Sequence, residues 1–429
     1  MMFRAQPKAL DHSGFGGKIN SLARRFAHKV LGNLTGGTLT LCDQFHSLGE
    51  TTTFGHGSPQ VTLRIHSANF YRRILLGGNI GAAESYIDAE WDCDNLPGLV
   101  QIMASADQSR SKLEGIASKA ATFVSTISHQ FRHNDITNAR ANIMAHYDVG
   151  NDMYKQFLDE RMIYSSAIFP SKNASLDAAQ EHKLKTICDK LRLTENDHLL
   201  EIGTGWGGLA IYAAKHYGCK VTTTTISDAQ FVLASERVEK EGLGNKITLL
   251  KKDYRLLEGK YDKLASIEMI EAVGHEYLPK FFDTCNELLK PNGLMLIQAI
   301  TYRDQDYSQY LKSVDFIQKH IFPGGCLLSV NDMLNQFTSY TDMSVYQIES
   351  FGLHYAETLR LWRERFEANR NHIESLGYDE RFMRLWRYYF AYCEGGFYSG
   401  RINVVQILSQ QAGSNPTDTC IHGSLATES

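Results

Sequence analysis

The chain has 429 residues, of which 43% are hydrophobic and 21% charged, and its formal net charge is -4. This length is enough for two or three globular domains, and the charge gives no general attraction for nucleic acid. The eight cysteines are widely spaced without a C-x-x-C pair, which disfavours a structural zinc site and is typical of a reducing, cytoplasmic compartment. No apolar run reaches the length of a membrane-spanning helix, so we expect any membrane contact to be peripheral.

Residues 1–105 have the mixed pattern of a small α+β domain. A helix within 1–35 carries a basic cluster beside apolar residues, a pattern found both in helices that rest on lipid headgroups and in ordinary solvated helices. Alternating apolar and polar residues at 38–41 and 61–66 predict antiparallel strands, and two short helices are predicted around the glycines that follow. We expect this domain either to dock on lipid or to form a homodimer. The basic cluster consists of Arg24, Arg25, His28 and Lys29.

Two polar segments flank the main part of the chain. Residues 106–140 show little periodicity, which predicts a linker or a mobile helix between domains. Residues 141–410 are predicted to be the catalytic domain, and 411–429 to be a polar tail.

Strand and helix patterns alternate from residue 198 onward. Each short apolar or β-branched run is followed by a helical pattern, and one of these helices, Asp228–Lys240, is predicted to begin at a Ser227 cap. The predicted strands are 198–202, 220–226, 247–250, 261–268 and 294–300. Units of this length predict an α/β fold with a doubly wound, mostly parallel sheet. The final third of the chain is predicted to be helical and rich in aromatic residues.

The first of these strands ends in a glycine loop that satisfies G-x-G-x-x-G at Gly203, Gly205 and Gly208. Such a loop indicates a nucleotide-type cofactor, although the motif alone does not say which one. A nicotinamide site usually has an acid at the end of the second strand, where this chain has threonine, isoleucine and serine. The chain instead carries Glu201 before the glycines and Asp253 after the third strand. This arrangement favours S-adenosylmethionine, with Glu201 at its amino-acid end or ribose and Asp253 near its adenine.

A series of ordered motifs resembles the cyclopropane-fatty-acyl-phospholipid synthases, a family that includes the mycolic acid cyclopropane synthases. The motifs, within roughly 140–405, are His146-Tyr147-Asp148-x-Gly150-Asn151, Tyr164-Ser165-Ser166-Ala167-Ile168-Phe169, Glu201-Ile202-Gly203-x-Gly205-Trp206-Gly207, Thr225-Ile226-Ser227-x-x-Gln230, Asp253-Tyr254-Arg255, Glu268-Met269-Ile270-Glu271-Ala272-Val273-Gly274 and Ile321-Phe322-Pro323-Gly324-Gly325-Cys326-Leu327. The resemblance implies a class I S-adenosylmethionine methyltransferase fold. It also implies methyl transfer to the cis double bond of a phospholipid acyl chain, with deprotonation and closure to a cyclopropane ring.

The same resemblance implies the residues of the site. The implied cofactor contacts are Tyr164, Ser165, Glu201, Gly203, Gly205, Trp206, Gly207, Thr225, Ser227, Gln230, Asp253, Tyr254 and Arg255. A bound bicarbonate is expected to serve as the base, and its implied ligands are Ser166, Glu271, Gln298, Ile300 and Tyr355. All of these ligands except Ile300 are also catalytic candidates, as is Cys393, which matches a cysteine that the family marks as an active-site residue. No metal is expected.

The sequence departs from the best-known bacterial pattern at the bicarbonate site. Ser166 stands where many members have cysteine, and Gln298 and Ala272 stand where they have histidine. This departure leaves open a second product, a methyl or methylene branch formed without ring closure. The expected partner is an unsaturated phospholipid at the inner face of the membrane, reached by a cytoplasmic, peripheral enzyme.

Two other classes of function were weighed. A nucleic-acid amino-methyltransferase is disfavoured because no two prolines are adjacent, so its Asn-Pro-Pro-Tyr motif cannot occur. A non-catalytic, lipid-binding paralogue is disfavoured because Glu271, Tyr164 and the glycine loop are all present.

Overall fold

The computed structural model describes residues 15–45, 49–110 and 149–412. The described N-terminal residues form one compact unit together with Asp379–Gly395, and the rest of the described chain forms a second unit. Most of the predicted linker and tail, and His146 to Asp148 of the first motif, lie outside the described residues.

The first unit contains a four-stranded sheet in the order β2-β1-β3-β4. Its elements are α1 (Phe15–Leu31), β1 (Gly37–Asp43), β2 (Glu50–His56), β3 (Gln60–Ile65), α2 (Asn69–Ile87), β4 (Trp91–Cys93) and α3 (Leu96–Arg110). The prediction that 38–41 and 61–66 are antiparallel is wrong, because β1 and β3 pair in parallel. The sequence pattern did not reveal β2, which forms a hairpin with β1 on its other side and reverses the chain between them.

Residues 379–395 complete this unit, so the predicted catalytic domain is not continuous over 141–410. The buried Arg384 donates hydrogen bonds to the carbonyl oxygens of Tyr86 at 2.5 Å and Trp91 at 2.8 Å, and to Asp92 at 2.8 Å. Gly395 has no room for a Cβ atom, which would lie 2.6 Å from the carbonyl oxygen of Pro97. The C-terminal segment is therefore part of the core of the N-terminal unit.

Helix α1 divides its predicted basic cluster between two faces. The Nε of Arg24 donates to Asp43 at 2.6 Å, and the His28 ring lies 3.4 Å from the hydroxyl of Tyr71, so both side chains turn toward the unit. Besides Ser21, the exposed side chains among residues 19–31 of α1 recur about one turn apart and are Leu22, Arg25, Phe26 and Lys29. The helix thus presents two apolar and two basic side chains to solvent.

The second unit has a seven-stranded sheet in the order β10-β11-β9-β8-β5-β6-β7. Its strands are β5 (His198–Ile202), β6 (Lys220–Thr224), β7 (Ile247–Leu250), β8 (Tyr261–Ile267), β9 (Leu289–Tyr302), β10 (Met343–Ser350) and β11 (Ile402–Gln411). Strands β5 to β9 pair in parallel, while β11 is antiparallel to both β9 and β10. The α/β, mostly parallel prediction is confirmed, but the prediction of a wholly helical final third missed β10 and β11.

Helices pack on both faces of this sheet. They are α4 (Asn151–Tyr154), α5 (Leu176–Lys190), α6 (Gly208–His216), α7 (Asp228–Lys240), α8 (Leu278–Leu288), α9 (Tyr307–Tyr310), α10 (Phe316–His320), α11 (Val330–Tyr340), α12 (Gly352–Ala368) and α13 (Arg370–Ser375). A further helix, α14 (Glu380–Tyr398), belongs to the first unit as far as Gly395. The predicted Ser227 cap is present, since its hydroxyl accepts from the backbone N–H of Gln230. Among the helices in the described ranges, none is long and apolar enough to cross a membrane.

Candidate active site

The glycine loop follows β5 and leads into the N-terminus of α6. Gly203 has a φ of 103°, and a Cβ atom there would lie 3.0 Å from the Cβ of Met269. Gly207 takes the left-handed conformation at the start of α6. A residue with a side chain fits poorly at Gly203, so the loop keeps its backbone open to a ligand. The Trp206 indole N–H, within the loop, donates a hydrogen bond to the Asn151 side chain at 2.8 Å, which helps to hold the loop in place.

Glu201 lies in β5, immediately before the loop, and is 3% exposed. The Thr223 hydroxyl donates to its Oε2 at 2.5 Å. Burial raises the pKa of Glu201 to about 8, because the charged carboxylate loses its hydration. A ligand that donates hydrogen bonds to this carboxylate would favour its ionised form.

The next predicted cofactor residues lie beyond β6 and β7. Thr225 donates to Gln230 at 2.9 Å, which orders the turn before α7. Both carboxylate oxygens of Asp253 accept hydrogen bonds from the Arg255 guanidinium group at 2.8 Å. Asp253 therefore orients Arg255, and its place near adenine stays a prediction. The neighbouring Tyr254 hydroxyl is buried and has no partner among the described residues.

Tyr164 lies among aromatic rings, with centroids 5.3 Å from Tyr154, 5.3 Å from Trp362 and 6.3 Å from Phe322. Ser165 beside it is 5% exposed, and its hydroxyl accepts from the Lys183 ammonium group at 2.6 Å. The Ser165 hydroxyl therefore pairs with a buried cation, and the contact of Ser165 with the cofactor stays a prediction.

A network of hydrogen bonds converges on Glu268, the residue that follows β8. Its Oε1 accepts from the backbone N–H of Ser166 at 2.9 Å and from the Gln298 amide at 2.7 Å, and its Oε2 accepts from the Tyr355 hydroxyl at 2.7 Å. The Ser166 hydroxyl itself points away, donating to the carbonyl oxygen of Ala167. The structure thus brings three of the predicted bicarbonate ligands together around a protein carboxylate.

Glu271 lies close to this network. Its Oε1 accepts from the backbone N–H of Ile300 at 2.5 Å, and its buried Oε2 has no partner in the described chain. Burial, together with the nearby charge of Glu268, raises the pKa of Glu271 to about 8. Glu271 is therefore protonated at neutral pH, whereas burial opposes and donors favour ionisation of Glu268.

The residues present do not fit the predicted bicarbonate. The three donors that would hold the anion, from Ser166, Gln298 and Tyr355, are already bonded to Glu268. A second anion at this point would lack donors and would be repelled by the carboxylate. No step is derived through bicarbonate.

Cys393 is the remaining catalytic candidate. It lies on α14 within the first unit and is partly buried, whereas Glu268, Glu271 and their partners lie in the second unit. The catalytic role that the resemblance implies for Cys393 stays a prediction.

S-adenosylmethionine does fit the site. A ligand with a nucleoside and an amino acid needs an open glycine loop and polar atoms that await partners, and Gly203, Glu201 and the Tyr254 hydroxyl supply them. When bound, the cofactor supplies an electrophilic methyl group on a positively charged sulfur. Gly203 to Gly207, Glu201 and the turn before α7 would hold it.

A family model described as mycolic acid cyclopropane synthetase matches residues 134–407. The chain belongs to this family. It is 37% identical to tuberculostearic acid methyltransferase UfaA1 of Mycobacterium tuberculosis, over 83% of this chain and 84% of that protein. It is 35% identical to the cyclopropane-fatty-acyl-phospholipid synthase of Escherichia coli K12, over 84% and 90% of the two chains. The crystal structure of mycolic acid cyclopropane synthase CmaA1 with SAH and CTAB has a TM-score of 0.59 and 30% identity over 63% of this chain and 98% of that one.

These findings make the chain an S-adenosylmethionine-dependent methyltransferase with a class I fold, as the motifs predict. SAH is the form that the cofactor takes after it has given up its methyl group, so its presence in the solved relative agrees with the cofactor assignment.

In this member of the cyclopropane synthase family, the structure adds two residues to the candidate site that the sequence did not single out, Glu268 and Lys183. Glu268 was noted only as part of a motif, and its role depends on a backbone turn with a φ of 49° that no sequence pattern reveals. Lys183 could have been found, since it falls at helical spacing on the apolar face of α5, beside Leu184 and Ile187. A lysine on a buried helical face is rare unless it has a partner.

Proposed function

We propose that this methyltransferase alkylates the cis double bond of an unsaturated phospholipid acyl chain, and that proton loss then closes a cyclopropane ring. The observation that carries the proposal is a pair of carboxyl groups, those of Glu268 and Glu271, beside the cofactor loop. Met269, which lies between them in the chain, packs against Gly203 of that loop. An alkene attacks a sulfonium methyl without help from a base. Acids at this point therefore serve the later step, in which a carbocation loses a proton.

Aromatic side chains prepare the same site for a cation. Tyr355 stacks on Phe397 with ring centroids 4.5 Å apart and meets Trp362 edge-on at 6.1 Å. Aromatic faces stabilise a nearby cation by about 0.5–2 kcal/mol each. Their apolar surfaces also exclude water, which would otherwise trap the carbocation as an alcohol. The hydroxyl of Tyr355 meanwhile fixes the carboxylate of Glu268.

A second candidate product is a methyl or methylene branch. The 37% identity to a tuberculostearic acid methyltransferase favours it, since that relative is as similar to this chain as the cyclopropane synthase of E. coli. Both products begin with the same methyl transfer and both require loss of a proton. They differ in whether the released electron pair closes a ring or forms the double bond of a methylene branch. A saturated methyl branch would then require reduction of that double bond by a separate hydride donor, with uptake of a proton.

The test incubates the purified chain with S-adenosylmethionine and vesicles of unsaturated phospholipid. Mass spectrometry should show acyl chains that gain the mass of one CH2 group. Proton NMR then separates the strongly shielded ring protons of a cyclopropane from the alkene protons of a methylene branch. Unchanged acyl chains, in a preparation that binds the cofactor by calorimetry, would contradict both products.

We further propose that α1 docks on the anionic inner face of the membrane. Leu22 is 67% exposed and Phe26 is 43% exposed, and Arg25 and Lys29 lie on the same face. Apolar side chains flanked by basic ones are typical of helices that lie in the headgroup region. The same arrangement is the reason to expect a phospholipid substrate within its bilayer.

This docking proposal predicts the behaviour of the double variant Leu22→Ser/Phe26→Ser. Its binding to anionic phospholipid vesicles should weaken about 10-fold, because two apolar side chains no longer enter the bilayer. Cosedimentation measures binding, and cofactor affinity should stay unchanged. Leu376→Ser, which removes an exposed leucine from the other unit, is the matched control. Wild-type vesicle binding by the double variant would refute docking through α1.

A further inference from the structure

The carboxylate of Glu268 is held like a bound anion. Two donors reach Oε1, from Ser166 and Gln298, and a third, from Tyr355, reaches Oε2. Gln298 is oriented in turn by Gln406, whose Nε2 donates to the Gln298 Oε1 at 2.9 Å, so the Gln298 Nε2 faces Glu268. The Gln406 Oε1 accepts from Lys190 at 2.6 Å. The side-chain amides of Gln406 and Gln298 are thus both oriented, so that the amide N–H group of Gln298 points at the carboxylate of Glu268.

The backbone at Glu268 is strained in order to place it there. Its φ of 49° lies in the left-handed region, which is unfavourable for a residue with a side chain. Its backbone N–H donates to the carbonyl oxygen of Gln298 at 2.8 Å, which holds the turn. Strain of this kind persists where the surrounding structure enforces it, and it is concentrated at functional sites.

A buried cation lies behind the carboxylate. Lys183 is 1% exposed, and its ammonium group donates to the Ser165 hydroxyl at 2.6 Å. Its positive charge lowers the pKa of Glu268, against the larger effect of burial, which raises it. Glu268 is therefore a carboxylate whose basicity burial enhances and whose charge Lys183 supports.

Of the two neighbouring acids, Glu268 has the better features of a base. Glu271 has one donor, from Ile300, and a protonated carboxyl at neutral pH, as described above. The donors on Glu268 also reduce its nucleophilicity toward a sulfonium methyl group, because they occupy its lone pairs. A base at this site must take a proton without being methylated itself.

We propose that Glu268 is the base that removes a proton from the transferred methyl group, so that this enzyme works without bicarbonate. The inference rests on the proposed function. In the step, a C–H bond of the former methyl group breaks, its electron pair forms the new carbon–carbon bond, and the proton moves to a carboxylate oxygen of Glu268. Substrate and cofactor thus yield lipid product, S-adenosylhomocysteine and one proton, which Glu268 later releases to solvent.

The experiment compares wild type, Glu268→Gln and Glu268→Gly in buffers stripped of carbon dioxide and in buffers with added bicarbonate. Removing bicarbonate should leave wild-type turnover unchanged. Glu268→Gln keeps the size of the side chain and should lose about 100-fold in turnover in both buffers. Glu268→Gly, which suits the left-handed backbone, removes the carboxylate and leaves room for an anion among the same donors. Added bicarbonate should restore its turnover at least in part.

A binding measurement reads the same site without turnover. Carbon-13-labelled bicarbonate should bind Glu268→Gly, but not wild type, in equilibrium dialysis. Calorimetry with S-adenosylmethionine shows that each variant is folded. Wild-type turnover that needs bicarbonate, specific bicarbonate binding by wild type, or full turnover by Glu268→Gln would each overturn the assignment. If wild type binds the cofactor yet leaves every lipid unchanged, the proposed function fails, while the dialysis result still decides which anion occupies the site.

Discussion

Glu201 lies near the end of β5 and Glu268 follows the neighbouring parallel strand β8, and burial raises the pKa of both, yet the two carboxylates are surrounded very differently. Thr223 engages one oxygen of Glu201, and no donor from the described ranges reaches its Oε1. Glu268 accepts three hydrogen bonds from the protein. Glu201 can therefore accept further hydrogen bonds from a ligand, whereas the hydrogen bonds to Glu268 come from the protein. The first is suited to binding and the second to proton transfer.

The largest effect that sharpens this comparison is expected from Glu201→Gln. The variant replaces the carboxylate that we expect to accept hydrogen bonds from the cofactor, so its S-adenosylmethionine affinity should fall about 100-fold. Glu268→Gln should bind the cofactor with an affinity within about twofold of wild type. Titration calorimetry measures both. Equal losses of cofactor affinity in the two variants would show that the two carboxylates do not differ in this way.

A smaller effect is expected from Lys183→Met, which keeps the length of the side chain but removes its charge. Without the nearby cation the pKa of Glu268 rises, and the carboxylate is ionised only at higher pH. Because a base must be ionised to act, the acidic limb of the pH–rate profile should move upward, and turnover near pH 6 should fall about 10-fold.

The matched control for this change is Lys185→Met, on the same helix, whose side chain is 59% exposed and pairs with Asp189. Its pH–rate profile should overlay that of wild type. An unmoved profile for Lys183→Met would show that the buried cation serves packing alone.

The smallest effect concerns stability and comes from Glu271. Its pKa is raised from 4.5 to about 8 on folding, so between these pH values the unfolded chain releases a proton that the folded chain keeps. Wild-type stability is therefore lost as pH rises through this window. The Glu271→Gln side chain cannot ionise, so this variant should lose less stability between pH 5 and pH 8. Relative to the difference in melting temperature between the two proteins at pH 5, the variant should melt about 3 °C higher than wild type at pH 8.

Differential scanning fluorimetry at the two pH values measures this difference. The exposed Glu239→Gln is the control and should follow wild type at both. A Glu271→Gln variant whose melting temperature falls with pH as steeply as that of wild type would contradict the raised pKa.

The sequence was sufficient for the parallel sheet because each strand from β5 to β8 is a short run with apolar or β-branched residues that is followed by a helical segment. Strand β10 escaped detection because most of its side chains are exposed and polar, so it lacks a buried face to mark it. The relative direction of β1 and β3 could not be predicted from the alternation of apolar and polar residues, because parallel and antiparallel strands alternate in the same way. Strand β2, which lies between them in the chain, reverses the chain direction and so makes β1 and β3 parallel. Periodicity locates elements, whereas pairing depends on contacts far apart in the chain.

The site followed the same rule. Glycines and Glu201 could be placed because their roles depend on local spacing along one strand and loop. The contact between Asp253 and Arg255, two residues away, could not be predicted, since it depends on a turn that spacing does not specify. Glu268 was hidden for a further reason: its donors, Ser166, Gln298 and Tyr355, come from three separate segments, and a fourth segment supplies Gln406, which orients Gln298.

The discontinuity of the first unit has a consequence for how the protein is made. Arg384 donates hydrogen bonds to the carbonyl oxygens of Tyr86 and Trp91, yet it is synthesised long after these two residues. A ribosome therefore releases the N-terminal strands well before the segment that completes their core. Until residues 379–395 emerge, these strands expose surface that other chains can pair with. The nascent N-terminal unit should thus depend on chaperones for most of translation, and pulse-labelled ribosome-bound chains truncated before residue 379 should remain sensitive to protease.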